Sequence, residues 1–311
     1  SFEREILEPA AEYLKSKGLQ DQILYIVTTR GLPLIIEGDD GPTGDLASVD
    51  SELALLYRYM LFGSYAFQGR VENPYFAVEF NRETFRPFVR RDYDTYLVTR
   101  FTGSTAIDAV LLIDRALESD SEGAFYFDLA SARQSPEAEW LQQAAALLER
   151  SSQLVTVEKT GKVLDNLTEA KGYFNQGAVD PNLGGRIPRI QWARGAIATV
   201  LDEVTARAAS GYGIDSAPEN RASVANRYVE SGVTGFGGYV ADPTLDGCIR
   251  PQILFPAYVA GYNLVEAFYA ATRYISWRQV IIGDPLASPY SLISARQRDA
   301  MAGAFRTEID E

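Results

Sequence analysis

The stretch DTYLVTRFTGSTAIDAVLLIDRALESDSEGAFYFDLA, residues 94–130, holds a strand, a helix and a second strand in succession. Residues 94–103 are a β-rich apolar run that ends at Thr99 and Arg100. Ser104 or Thr105 is placed to cap a helix over 104–118, where apolar residues recur at helical spacing. GAFYFDLA, 123–130, is again a strand. Such alternation of strand and helix, carried through the chain, implies a mainly parallel sheet with helices on both faces.

The same alternation continues in both directions. Upstream, 2–17 reads as a helix and 21–29 as a buried strand broken by RGLPL. A turn-rich acidic loop follows at 37–45, then a helix over 50–62 with Asp50 as its N-cap. Residues 63–93 form an irregular insert rich in aromatics and arginine, interrupted by Pro74 and Pro87. Downstream come a helix at 137–151, a strand at 153–160, a short helix or turn at 163–170, and strands at 171–174 and 195–202. A helix at 216–232, a glycine-rich strand at 233–240, a helix at 263–275 capped by Asn263 and a last strand at 278–285 complete the series, before a helical tail at 290–311. The strands are apolar throughout rather than alternating, which fits burial on both faces. The pattern predicts an α/β three-layer sandwich with a mainly parallel sheet, and one α/β domain over 1–311.

Composition narrows function by exclusion. The formal net charge is −13, so phosphate backbones are repelled and nucleic acid is not an expected partner. No apolar run reaches the length of a membrane span, and no signal peptide is visible in a sequence that begins at Ser1. The chain contains no histidine. That removes Ser-His-Asp and Cys-His catalysis and His-ligated zinc. Chemistry would rest on carboxylates, lysine, tyrosine or hydroxyls, or on a divalent cation held by oxygen ligands; no cofactor motif or metal site is identified.

In an open α/β sheet, ligands gather outside the carboxyl ends of the strands. The residues expected there are Thr29, Arg30, Thr99, Arg100, Asp128, Asn175, Gln176, Asp202, Asp242 and Asp284. Arg30, Arg100, Asp128, Asn175 and Gln176 are the candidate ligand-binding set, with arginine offering two parallel donors to a carboxylate or phosphate. Asp128, Asp202 and Asp284 are the candidate catalytic carboxylates. Against each stands a structural role, since Asp and Arg at strand ends also cap helices and pair with each other, and Asp284 before Pro285 suits a turn.

Other features read as structural. Glu37, Asp39, Asp40 and Asp45 form an oxygen-rich loop without the spacing or closing glutamate of a calcium loop. Glycines 232, 235, 237 and 238 lack the Gly-Lys-Ser/Thr ending of a phosphate loop and suit close backbone packing in the sheet. The rings and arginines of 65–100 suit either a stacking surface for sugar or peptide or a local core.

The segments ESGVTGFGGYVADP (230–243) and GYNLVEAFYAATRYISWRQVIIGDPLASPY (261–290) resemble the end of the catalytic domain of gingipain-type cysteine peptidases, which have a caspase-like fold. YIVTTRGLPL, YLVTRFTG, GYFNQGAVD and WRQVIIGDPL also resemble a family of bacterial conserved hypothetical proteins along the whole chain. The resemblance implies a caspase-like topology and an exported or cell-surface location. It also implies where a peptidase dyad would sit. The histidine would lie in the loop Asn175-Gln176-Gly177 and the cysteine after GAIATVLD, between Asp202 and Thr205; neither place holds the needed residue. The single cysteine, Cys248, lies past the glycine-rich strand, and with Arg250 nearby but no imidazole it reads as a buried structural thiol. The expected function is therefore a binding or structural protein of caspase-like fold without the peptidase dyad, with a protein or carbohydrate as partner. The alternatives are a histidine-free hydrolase using aspartates at strand ends, with or without a divalent cation, and a small-molecule binder.

Overall fold

A computed structural model describes residues 2–63, 69–81, 83, 86–129, 135–175, 187–201 and 224–291. Its strands, numbered along the chain, are β1 (Tyr25–Thr29), β2 (Ile35–Ile36), β3 (Ala47–Ser48), β4 (Val71–Glu72), β5 (Leu97–Phe101) and β6 (Ala124–Asp128), followed by β7 (Leu154–Glu158), β8 (Leu167–Asn175), β9 (Ile190–Val200), β10 (Gly235–Tyr239), β11 (Tyr274–Ile275) and β12 (Gln279–Gly283). The helices are α1 (Glu8–Lys17), α2 (Val49–Leu53), α3 (Leu56–Phe62), α4 (Ala106–Leu117), α5 (Pro136–Arg150), α6 (Val224–Ser231), α7 (Pro251–Val259) and α8 (Leu264–Ala270).

Eight strands form one sheet in the order β1-β5-β12-β10-β9-β8-β6-β7, and β2 with β3 and β4 with β11 make two small antiparallel pairs. Within the large sheet every neighbouring pair is parallel except β10 with β12. The sheet therefore consists of two parallel blocks running in opposite directions. β1, β5 and β12 send their carboxyl ends to one edge. β10, β9, β8, β6 and β7 send theirs to the other.

Helices cover both faces. Phe125, Phe127, Phe174 and Ile281 pack with α1, α3, α5, α7 and α8 in one core. Tyr126, Tyr173, Phe236 and Val280 pack with Leu112 of α4 and with Tyr228 and Val229 of α6 in a second. Side chains alternate across the pleat, so Phe125 and Phe127 serve the first core while Tyr126 serves the second. The α/β class, the mainly parallel sheet and the helices on both faces agree with the sequence reading. Among the described residues no helix is long and apolar enough to cross a membrane.

Several local expectations shift. The helix expected over 50–62 is two helices, and its cap is Ser48, whose hydroxyl accepts from Ser51 N at 2.9 Å; Asp50 is buried inside the first turn. Thr105 caps α4 through a capping box with Asp108, and Asn263 caps α8 as expected. Residues 167–170, expected in a helix or turn, open β8. α7 was not anticipated: nearly all of it is buried, so it carries no amphipathic stripe, and Pro256 sits inside it. The helix expected over 263–275 stops at Ala270, and β11 follows. The tail beyond Ser291 lies outside the described residues.

In the insert, the rings of Tyr75, Phe88 and Tyr93 meet at 5.1–5.3 Å, and Tyr75 and Phe88 are buried. They form a local core rather than a stacking surface; Tyr65, Phe67, Arg82 and Phe85 fall outside the described residues. Glycines 235 and 237 are needed for close packing. A Cβ at Gly235 would stand 2.2 Å from Leu264, and one at Gly237 would stand 2.5 Å from Phe268.

Candidate functional site

The strand directions divide the expected site residues between two edges. Arg30, Arg100 and Asp284 follow or end β1, β5 and β12 at one edge. Asp128 and Asn175 end β6 and β8 at the other, where Asp242 also emerges after β10. The structure thus does not bring Arg30 and Arg100 together with Asp128, or Asp284 with Asp128. Gln176, Asp202 and Thr205 lie outside the described residues.

At the first edge the charged groups are engaged with the protein itself. Arg100 is fully buried and grips Asp50 with Nε to Oδ2 at 2.9 Å and Nη2 to Oδ1 at 2.7 Å. Its remaining donors go to the carbonyls of Thr29, Leu32 and Pro33, which fixes the RGLPL turn over the ends of β1 and β5. Thr28 Oγ1 donates to Asp50 Oδ1 at 2.8 Å. Arg30 is exposed and donates to the Ser104 carbonyl at 2.5 Å. Asp284 Oδ1 accepts from Leu286 N at 2.8 Å, the turn expected of Asp-Pro, and burial raises its pKa.

The acidic loop is likewise self-contained. Asp39 Oδ1 accepts from Gly41 N, and Asp45 Oδ1 accepts from Asp39 N. Arg278, buried, donates to the carbonyls of Asp40, Gly41 and Asp242 and so ties the loop to the end of β10. No group of three or more His, Cys, Asp or Glu among the described residues could hold a metal ion.

The second edge has a different character. Numbered within their own block, β7-β6-β8-β9-β10 run in the order 2-1-3-4-5, all parallel. This is the flavodoxin-like order, whose ligand crevice opens at the carboxyl ends of its first and third strands. Those strands are β6 and β8. Phe127 pairs with Phe174, so Asp128 and Asn175 stand next to each other at the carboxyl ends of these two strands. Both are buried, at 1% and 0% exposure, which is uncommon for such residues and marks a polar strand end inside the fold. Asp128 Oδ2 accepts from Leu164 N at 2.9 Å.

Neighbouring groups, which the sequence reading did not single out, complete this edge. Glu158 stands beside Asp128 in the β6–β7 register. Its carboxylate accepts from the backbone N–H groups of Thr160, Gly161 and Lys162 at 2.8–3.1 Å. Burial opposes its ionisation, but a hydrogen bond from the Thr160 hydroxyl, together with these backbone donors, outweighs it and holds the pKa below the usual carboxylate value. Tyr228 is fully buried, and burial, then the charge of Asp128, raises its phenol pKa. The only signal for Glu158 in the sequence is its place at the end of an apolar run. Tyr228 carries none, because its helix meets the sheet only through the tertiary fold.

Cys248 is buried, and its Sγ donates to the Thr244 carbonyl at 3.2 Å. Burial pushes its thiol pKa up to about 12 against the smaller opposing effects of Tyr239 and Arg250. A thiol so placed is not a nucleophile near neutral pH. Two clefts of about 600 and 750 Å³ lie between α5, α7 and residues 78–81, away from all the candidate residues.

No protein-family model, curated protein or solved structure matches this chain.

Proposed function

We propose that this protein is a binding protein of caspase-like fold without peptidase chemistry, acting at or outside the cell envelope. Its ligand crevice lies at the carboxyl ends of β6 and β8. The observation that carries this reading is the side-by-side placement of two buried polar residues, Asp128 and Asn175, at the point where the strand order reverses. Asn175 also begins the loop where the peptidases that the sequence resembles keep their histidine. A carboxylate and an amide together supply acceptors and donors, which suits the amides of a peptide or the hydroxyls of a sugar. The raised pKa of Cys248 supports a role without thiol chemistry.

The antiparallel strand β12 closing a five-stranded parallel block supports the caspase-like assignment. The envelope location rests on the family resemblance alone. The hydrolase alternative loses one of its three carboxylates, since Asp284 leaves from the opposite edge.

The test is a fluorogenic peptide panel assayed with wild type and Cys248→Ser. The expected result is no turnover by either protein. Turnover by wild type that Cys248→Ser abolishes, with the variant folded, overturns the reading.

A further inference from the structure

Arg90 lies in a short 3-10 turn, Arg90–Asp92, and is only 8% exposed. Its guanidinium stacks 3.8 Å over the Tyr57 ring, with the rings of Tyr96 at 5.3 Å and Phe88 at 5.9 Å. Nη1 donates to the Thr95 carbonyl. Nε and Nη2 are buried and make no hydrogen bond. Such an arrangement is unfavourable unless something accepts from both nitrogens. Arginine stays charged even where burial lowers its pKa, as it does here.

Two other arginines show what this edge of the group does in the same fold. Arg58 places Nε and Nη2 on Asp94 at 2.8 and 3.0 Å, and Arg100 places the same two atoms on Asp50. Arg90 has no carboxylate of its own. Instead it lines a cleft of about 630 Å³, a size typical of small-molecule sites.

The charge of that cleft identifies the ligand class. Asp94 is paired with Arg58, and Asp92 with Arg91. Asp21, which is exposed, accepts from the Tyr57 hydroxyl at 2.5 Å. Arg90 therefore lies over the face of the Tyr57 ring while Asp21 stands at its hydroxyl, a cation and an anion with no ion pair between them. Leu61, Pro74 and Tyr93 supply apolar wall.

We propose that this cleft binds a small zwitterion of the α-amino-acid type, with its carboxylate on the Nε–Nη2 edge of Arg90 and its ammonium at Asp21. A carboxylate matches that edge with two parallel hydrogen bonds. A phosphate dianion is disfavoured by Asp21, Asp92 and Asp94. Neither nitrogen touches solvent, so the ligand turns aside the half-buried Tyr93 of the wall on entry, while Tyr57 keeps its contacts with Arg90 and Asp21. The cleft lies at the amino end of β5. Four strand spacings, roughly 20 Å, separate it from β8 and the Asp128 crevice, so the two sites are independent.

The test follows the Arg90 Nε–H resonance by NMR, and the melting temperature, while L-leucine, its desamino analogue 4-methylpentanoate and inorganic phosphate are added at millimolar concentration. L-Leucine is expected to move the resonance and raise the melting temperature, and 4-methylpentanoate to bind roughly tenfold more weakly, the loss of one charged contact. Arg90→Gln, which lacks that resonance, should abolish the rise in melting temperature. Asp21→Asn, an exposed change that leaves the fold intact, should erase the preference for leucine over its desamino analogue. A resonance unmoved by leucine overturns the proposal. So does a response to phosphate alone, or a leucine preference retained in Asp21→Asn.

Discussion

Arg100 and Asp50 form a fully buried, two-pronged ion pair that joins β5 to the first turn of α2. Neither is available to a ligand, because the guanidinium also holds the carbonyls of Thr29, Leu32 and Pro33. Arg100→Met strands the carboxylate in the interior. Urea denaturation should show a loss of about 3–5 kcal/mol. The double variant Arg100→Met, Asp50→Leu should lose less than the sum of the single changes, since it removes the isolated charge.

The buried thiol gives a second outcome. With its pKa pushed up to about 12, Cys248 holds almost no thiolate at pH 8. Alkylation by iodoacetamide in the native protein should run roughly a thousandfold slower than in the urea-unfolded chain. Comparable rates in the two states would place the thiol at the surface and remove the main support for a protein without thiol chemistry.

Lys171 reports on the interior through pH. It is fully buried on β8, and its Nζ donates to the carbonyls of Asp120 and Arg194. Burial lowers its pKa to about 8 against the attraction of Asp120. In the unfolded chain a lysine keeps its proton to about pH 10.4. Between those values the unfolded state binds more protons, so stability contributed at this site rises with pH across that window. Wild type measured against Lys171→Met should gain on the order of 2 kcal/mol between pH 8 and pH 10. A flat difference would mean that the lysine is not desolvated.

Close packing of β10 against α8 makes Gly237 intolerant of a side chain. A methyl group there would meet Phe268 at 2.5 Å and Ile249 at 2.6 Å. Gly237→Ala should cost about 1–3 kcal/mol by overpacking, read from the shift of the denaturation midpoint.

Much of this architecture is legible in the chain because strand and helix patterns are local. The elements of 94–130 emerge as β5, α4 and β6, though β5 and β6 run in opposite directions in different blocks of the sheet, and Thr105 and Asn263 cap the helices expected of them. Strand direction is not local. A strand has no residue pattern that says which way it runs, and β12 opposes β10 because α7, α8 and β11 bring the chain back. β5 likewise opposes β6 across α4, so Arg100 and Asp284 stand at the opposite edge from Asp128, residues that a uniformly parallel sheet would gather. α7 escaped because buried helices lose their polar face, and Asp50 gave way to Ser48 as a cap because its carboxylate serves Arg100. The neighbourhood of Asp128 and Asn175 depended on register across β6 and β8, which no single strand reveals.

The most direct test of the Asp128–Asn175 crevice is a side-by-side thermal-shift screen of wild type and Asp128→Asn against peptides, sugars and divalent cations, with and without chelator. A ligand that binds the folded state raises the melting temperature in step with its concentration over its affinity. The expected result is a peptide or sugar that raises the melting temperature of wild type, is indifferent to chelator, and has a shift largely lost in Asp128→Asn. An equal shift in both proteins would contradict the crevice as the site, and a shift confined to a divalent cation would replace the binding reading with carboxylate–metal chemistry.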